Sequence, residues 1–371
     1  MSQEVYFGTE GVTKLQELFR RNLWSKVFLV TGKRSFEGSG AKSFIENCIA
    51  PFSPELIRFY DFEVNPNIED LLSGLKKIEE FKPDVIIAIG GGSVMDMGKL
   101  LRFFYTHDGE IFSGKYRSKG IELPLIAIPT TAGTGSEATH FSVLYDKNKI
   151  KHSIADQGIL PNYAIVNSEL TWNQSSYLTA CAGFDALAQG IEAYWNKNAT
   201  EESDEYAFKA IDLIYETLPK VVANPTPELR SRMSEGAYWA GKAINITKTT
   251  APHAFSYPFT SHYGIPHGQA VAVCFPSIAE FNFYSKAIDV SKEKKLLDRL
   301  FPGANSLSKA NIFDSLNIYI RTIGLSFNIK KTFDIDLLLK GINIFRLNNN
   351  PRHVSNEDAK NLLGNILSKT L

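Results

Sequence analysis

The stretch Asp84-Val-Ile-Ile-Ala-Ile-Gly90-Gly91-Gly92-Ser93-Val-Met-Asp96-Met-Gly-Lys99 decides the architecture of this 371-residue chain. Behind Asp84 come five apolar residues, four of them β-branched, with no polar alternation. That is the pattern of a strand covered on both faces, as in a parallel sheet. Three glycines end the run, and a helical pattern begins near Ser93. Upstream, residues 26–31 and 55–60 read as strands, and residues 41–50 and 69–81 as helices. Downstream, 124–128 and 164–167 read as further strands. Strand alternating with helix in this way predicts a doubly wound α/β domain.

Beyond residue 170 the texture changes to long helical patterns over 177–195, 203–222, 227–246 and 269–282, with shorter ones near the C-terminus. A boundary there divides the chain into an α/β nucleotide-binding domain, residues 1–170, and an all-α domain, residues 171–371. No internal repeat or low-complexity tract interrupts either part. Residues 348–352 read as a loop between C-terminal helices.

Composition narrows the partners. Forty basic and forty acidic side chains cancel, so no net field draws the chain toward nucleic acid or an anionic membrane, and a small molecule is the expected partner. Cys48, Cys181 and Cys274 are odd in number and show no CxxC spacing, which argues against a disulfide framework and fits a reducing cytoplasm. Neither a signal-peptide pattern nor an uninterrupted apolar run of ~18 residues is present, so a cytoplasmic protein is expected.

Two loops carry phosphate-binding chemistry. Glycines at the end of a parallel strand let backbone approach a ligand, and the free N–H groups of the next helix attract a phosphate. Gly90–Gly92 meets that description, although it is not the G-x-G-x-x-G fingerprint. Pro129-Thr130-Thr131-Ala-Gly-Thr134-Gly-Ser136-Glu137 also follows a strand and offers four hydroxyls suited to ribose, amide or phosphate. Two such loops after neighbouring strands point to one dinucleotide.

The second chemical signal is Thr249-Thr-Ala-Pro-His253-Ala-Phe-Ser-Tyr257-Pro-Phe-Thr-Ser-His262-Tyr-Gly-Ile-Pro-His267-Gly268, which holds three of the seven histidines. Imidazole is the commonest ligand for a transition metal, and His253 and His267 sit among Pro and Gly residues that fix the backbone. A third ligand is needed. Asp185 is the best candidate, on a helix whose same face carries Gln189 and Glu192 at i+4 and i+7. Gln189 either ligates weakly or holds a water beside the metal.

Together these motifs resemble the iron-containing (group III) alcohol dehydrogenase family from about Phe7 to the C-terminus. Within it the chain is most similar to the phosphonoacetaldehyde reductase (2-hydroxyethylphosphonate dehydrogenase) branch, through residues 30–36, 191–195 and 244–253. The resemblance implies a dehydroquinate synthase-like fold, a homodimer, and a metal in the cleft between the domains. It puts Asp185, His253 and His267 at metal-ligand positions. Gly91, Gly92, Ser93 and Asp96 take the pyrophosphate loop, Thr130, Thr131, Thr134 and Ser136 the ribose and nicotinamide contacts, and Lys151 and Leu170 the rest of the groove.

Three departures from the family pattern stand out: Gln189 and Tyr257 replace histidines, and Gly32 replaces an aspartate. Iron is therefore named first only from the resemblance, and zinc suits the same ligands. The missing carboxylate at Gly32, followed by Lys33, predicts that NADPH serves at least as well as NADH.

The expected reaction is reduction of a small aldehyde to a primary alcohol, with the metal as Lewis acid and the nicotinamide as hydride donor. Tyr257, His262, a ribose hydroxyl or water would supply the proton. An anionic aldehyde, phosphonoacetaldehyde first, would need a cation near the site. Lys248 is the leading candidate, with Lys151, His262 and Arg352 behind it. A dehydroquinate synthase-like lyase and a non-catalytic nucleotide-binding protein are the alternatives. Net consumption of NAD(P)H with an aldehyde separates the reductase from the lyase, and metal content separates it from a decayed site.

Overall fold

Six parallel strands make the sheet that residues 84–99 anticipate. The strands of the first unit are β1 (Glu4–Phe7), β2 (Lys26–Thr31), β3 (Glu55–Phe59), β4 (Val85–Gly90), β5 (His107–Asp108), β6 (Arg117–Ser118), β7 (Leu125–Pro129), β8 (Phe141–Tyr145), β9 (Lys151–Ala155) and β10 (Tyr163–Val166). The sheet runs β1-β10-β7-β4-β2-β3, while β5–β6 and β8–β9 form small antiparallel pairs. This computed structural model describes residues 3–148, 150–302, 308–325 and 332–370. The chain divides into two compact units, Met1–Gln174 and Ser175–Leu371.

Helices α1 (Gly11–Asn22), α2 (Ser35–Gly38), α3 (Ala41–Ile49), α4 (Ile68–Phe81) and α5 (Gly92–Thr106) complete the first unit. Strand side chains alternate between faces, and both faces are covered. Val27, Leu29, Val85, Ile87, Ile126 and Ile128 pack with Leu15 and Leu18 of α1 and Phe44 and Ile45 of α3. Phe28, Val30, Ile86, Ala88, Leu125 and Ala127 pack with Leu71 and Ile78 of α4 and Leu100 and Leu101 of α5. The unbroken apolar run in β4 is thus the product of two cores meeting at one strand. The strand β1 and the β8–β9 pair go beyond the sequence reading. They are short and only partly buried, so their apolar pattern is weak.

The second unit is helical, with no strand among its described residues. It comprises α6 (Ser176–Trp195), α7 (Glu201–Ile214), α8 (Thr217–Ala223), α9 (Pro227–Thr247), α10 (Ala251–Tyr263), α11 (His267–Asn282), α12 (Val290–Leu300), α13 (Lys309–Thr322), α14 (Ile335–Lys340), α15 (Ile344–Leu347) and α16 (Asn356–Thr370). Ser175 caps α6 by accepting from Leu178 N–H, and α7, α8, α9 and α11 surround it.

The single helix expected over 203–222 is two helices. Pro219 has no N–H for the Tyr215 carbonyl one turn back, which accepts instead from the Tyr319 hydroxyl at 2.7 Å. The His-rich segment 249–268, read as Pro- and Gly-punctuated chain, contains a full helix, α10. Its internal Pro258 leaves the Ala254 carbonyl without a helical donor, and Asn343 N–H takes that place at 3.4 Å.

Candidate functional site

Three helices of the second unit bring Asp185, His253 and His267 together. Candidate ligand atoms of the three lie within 4.8 Å of one another. His253 Nε2 is 3.1 Å and His267 Nε2 3.5 Å from Asp185 Oδ1. Asp185 lies mid-way along α6, whose surroundings bury it to 3 % exposure. His253 stands in the first turn of α10, and His267 opens α11 directly after Pro266. Gly268 permits this position. A Cβ there would stand 2.0 Å from the Cys181 carbonyl oxygen on α6, so only glycine lets α11 start so close to the helix that carries Asp185.

The donor set fits a divalent cation. Burial lowers the affinity of the His253 imidazole for a proton, but Glu192 and Asp185 more than offset this and push its pKa up to about 10. Surroundings that favour a proton on Nε2 favour a metal ion at the same nitrogen. Gln189 donates its amide N–H to Asp185 Oδ2 at 3.1 Å, while its Oε1 is buried with no hydrogen-bond partner among the described residues. An orphaned buried oxygen beside two imidazoles and a carboxylate suits it to a fourth ligand position.

Glu192 is the functional residue that sequence reading placed on the correct face without giving it a role. Fully buried, it accepts from Thr250 N–H at 2.6 Å and from the Thr250 hydroxyl at 2.9 Å, and it pairs with His253 Nδ1. Trp195 Nε1 donates to the same hydroxyl at 3.0 Å. The carboxylate thereby fixes the tautomer of His253 and aims Nε2 at Asp185. Its i+7 spacing from Asp185, two turns along one helix face, was the available signal.

In the first unit the register pairs Gly90 with Pro129, so the Gly-rich and Thr-rich loops leave adjacent strands side by side at the carboxyl edge of the sheet. They touch. A Cβ on Gly92 would meet Thr134 Cγ2 at 2.9 Å. Gly91 and Gly92 open α5 with their N–H groups at its positive end. A cavity of about 690 Å³ is lined by Gly91–Val94 and by Gly32, Lys33, Arg34 and Ser35, together with Asp61, Glu63 and Asp70. Lys33 and Asp61 form an exposed ion pair at 3.5 Å.

Residues 2–168 match the family model described as iron-containing alcohol dehydrogenase, and residues 179–367 match that of the family's C-terminal domain. The chain belongs to the iron-containing alcohol dehydrogenase family. It is 30% identical to the NAD-dependent methanol dehydrogenase of Bacillus methanolicus over 94% of each chain. With the NADPH-dependent butanol dehydrogenase of Clostridium saccharobutylicum it shares 32% identity over 76% of this chain and 73% of that one. The crystal structure of the sulfoacetaldehyde reductase of Bifidobacterium kashiwanohense with NAD+ superposes with a TM-score of 0.86 at 28% identity, covering 99% of this chain and 97% of that one. The protein is thus an alcohol dehydrogenase or aldehyde reductase that uses a nicotinamide cofactor. No helix among its described residues is long and apolar enough to cross a membrane.

Several site residues expected for this alcohol dehydrogenase stand elsewhere than the resemblance implied. Asp96, expected in the pyrophosphate loop, and Ser136, expected at the ribose and nicotinamide, are turned on each other: Ser136 Oγ donates to Asp96 Oδ1 at 3.0 Å, and Asp96 Oδ2 accepts from Val143 N–H at 3.3 Å. A carboxylate offers a phosphate no donor in any case. The Leu170 side chain belongs to the core under the sheet, which leaves only its backbone for a ligand. Lys151 lies on β9, where its charge acts on Asp96. His262 is exposed and nine residues beyond His253, roughly half a turn out of phase on α10, so it faces away from the metal ligands. Tyr257, one turn after His253, stacks on the His267 ring with centroids 5.8 Å apart. Arg352 lays its guanidinium over the Phe281 ring at 3.6 Å and donates to the Phe281 carbonyl, which ties it to the packing of α11. Ser93 accepts from Asn65 N–H at 3.1 Å, and Thr130 N–H donates to the Gly90 carbonyl at 2.9 Å.

Proposed function

We propose that this enzyme reduces a small anionic aldehyde to the corresponding primary alcohol with NADPH or NADH, phosphonoacetaldehyde to 2-hydroxyethylphosphonate being the first choice. The supporting observation is a second cation near Lys248, which stands in the connection leading into α10, the helix that carries His253. Although Lys248 is exposed, desolvation of its ammonium and then the charge of Arg346 lower its pKa, so two like charges stand near each other. That arrangement favours an anion as the third party. The sulfonate of the substrate that the Bifidobacterium enzyme is named for is an anion of the same kind.

Lys248 also has an unusual backbone. With φ 64° and ψ 178° it lies in a region that glycine alone enters readily. Asn196 holds it there through the Lys248 carbonyl at 3.0 Å, and Asn349 holds the next carbonyl, of Thr249, at 3.0 Å. Two residues further on, Thr250 is tied to Glu192. Strain retained at one residue and braced on both sides is what a ligand-positioning role would require.

Asp185, His253 and His267, with Gln189 as fourth ligand, would hold one divalent ion. When bound, that ion polarises the aldehyde oxygen, and the reduced nicotinamide supplies the hydride. The chain's own groups do the remainder. Glu192 keeps the His253 Nε2 lone pair aimed at the site, and Lys248 with Arg346 keeps the phosphonate off the metal. Tyr257, stacked on His267, is the side chain left to deliver a proton to the product oxygen once His262 is set aside. The N–H groups of Gly91 and Gly92 with the Thr131 and Thr134 hydroxyls would hold the dinucleotide. Each turnover converts aldehyde, NAD(P)H and a proton into alcohol and NAD(P)+.

The test compares kcat/KM for phosphonoacetaldehyde, sulfoacetaldehyde and a neutral aldehyde of similar size, in the parent and in Lys248→Ala. The parent should prefer the anions. The variant should lose about tenfold or more on them, the scale of one charge-assisted hydrogen bond, and little on the neutral aldehyde. Parent preference for the neutral aldehyde, or equal losses on all three, refutes the anionic substrate.

A further inference from the structure

Lys99 is fully buried in the first unit and takes no part in the chemistry described so far. Its ammonium meets four oxygens: the Ser136 carbonyl at 2.8 Å, Ser136 Oγ at 3.1 Å, Thr139 Oγ1 at 2.9 Å and the Phe141 carbonyl at 2.6 Å. All four lie 37 to 42 residues further along the chain. Asp96, three residues earlier on the same face of α5, grips the same segment through Ser136 Oγ and Val143 N–H. Glu137, 3 % exposed, completes the buried cluster. Burial pushes its carboxyl up to about 7 and pulls the Lys99 ammonium down to about 8, the two charges partly offsetting each other's shift.

A wholly apolar cluster, with the partners replaced as well, would fill this space at similar or lower cost, because a buried charge contributes little net stability even when paired. What an ammonium adds is several directed donors at one point. Here they fix the far end of the Thr-rich loop relative to the helix whose first turn carries Gly92 and Ser93. The near end is fixed separately, by Thr130 N–H on the Gly90 carbonyl and by the Gln174 amide on the Thr130 carbonyl. Between these anchors Thr131 and Thr134 stay partly accessible, with Thr134 against Gly92, and Gly135 turns the chain at φ 56°.

We infer that Lys99 is a positioning residue for the cofactor, clamping the end of the Thr130–Ser136 loop so that its hydroxyls and the Gly91–Gly92 turn form one binding surface. The inference rests on reading that loop as part of the dinucleotide site. It predicts a dependence of cofactor affinity on a side chain that never touches the cofactor.

The experiment measures NADPH binding by fluorescence titration of the metal-loaded protein in four forms: parent, Lys99→Met, Lys99→Arg and Thr131→Val. Lys99→Met should raise the NADPH Kd about tenfold or more, with metal content and kcat at saturating cofactor near the parent's. Lys99→Arg, which restores charge and donors, should recover part of that loss. A Lys99→Met protein that is less stable yet binds NADPH like the parent refutes the inference. If Thr131→Val weakens binding at the same time, the loop reading survives; if it too binds normally, the loop reading falls with the inference. Should Lys99→Met not fold, Thr139→Val removes one acceptor of the same ammonium, and an unchanged Kd there overturns the proposal equally.

Discussion

Asp185, His253 and His267 are atoms of the right type placed within reach of one another, and the consequences can be tested one side chain at a time. His267→Ala should abolish stoichiometric metal binding measured on protein purified without chelator; full occupancy in that variant would show the assignment to be wrong. Glu192→Gln and Gln189→Ala should each weaken the metal by ~10–100-fold, read by competition with a chromogenic chelator. Glu192 is the more telling of the two, because its amide replacement leaves the three proposed ligands intact. At the cofactor pocket, NADPH should support turnover at least as well as NADH, since no carboxylate stands at Gly32 to repel a 2′-phosphate. Gly32→Asp should shift the ratio of kcat/KM toward NADH. The new Cβ would clash with Ser35 Oγ alone, at 2.1 Å, which can rotate away; Ser35 Cβ at 3.5 Å and Val94 Cγ2 at 3.8 Å are ordinary contacts. Asp61→Ala, in the lining of the same cavity, should shift it the other way. Strict NADH dependence of the parent would overturn this reading. The metal-binding residue types were legible in the sequence because imidazole and carboxylate chemistry is local. The commitment of Asp96 and Ser136 to each other was not, because it depends on a partner 40 residues away.

At the scale of elements, the sequence reading located five of the six parallel strands and the long helices of the second unit other than α10, while β1 and α1 went unread; the other failures have specific causes. Pro219 broke one expected helix where the Tyr319 hydroxyl was available to the freed carbonyl. Pro252, Pro258 and Pro266 disguised α10 and the start of α11, although proline is well tolerated in a first turn and Pro258 has its lost hydrogen bond replaced from outside the helix. The connection between α9 and α10 carries the strain at Lys248. Glycine reaches φ 64°, ψ 178° without a Cβ penalty, at a smaller entropic cost from its freer unfolded chain. Lys248→Gly should therefore stabilise the protein by about 1 kcal/mol while lowering efficiency toward anionic aldehydes. A urea midpoint below the parent's would show that the conformation is not strained in the way described.

At the scale of the whole molecule, the metal ligands come from three helices of one unit, so an ion bound there joins α6, α10 and α11. Chelation should selectively remove hydrogen-exchange protection from those helices and leave β4 and β7 protected. The stability lost should be about 2.7 kcal/mol when the metal had been present at a hundred times its Kd. Uniform loss across both units, or none, would contradict a metal held by these helices. The sequence by itself determined the class of each half: an apolar β-branched run ending in glycines makes a buried parallel strand with a ligand-binding edge, and 3.6-residue periodicity makes a helical unit. It also supplied the chemical types of the donors. Only the tertiary structure decided which of them meet. Asp185 and His253 are 68 residues apart, and their 3.1 Å approach depends on helix packing that includes the closeness of Gly268 to Cys181. Spacing along one helix is set by a fixed rise and turn, so it can be read from residue numbers. The distance between helices is the sum of many weak contacts among distant residues, and it exists only once the chain has folded.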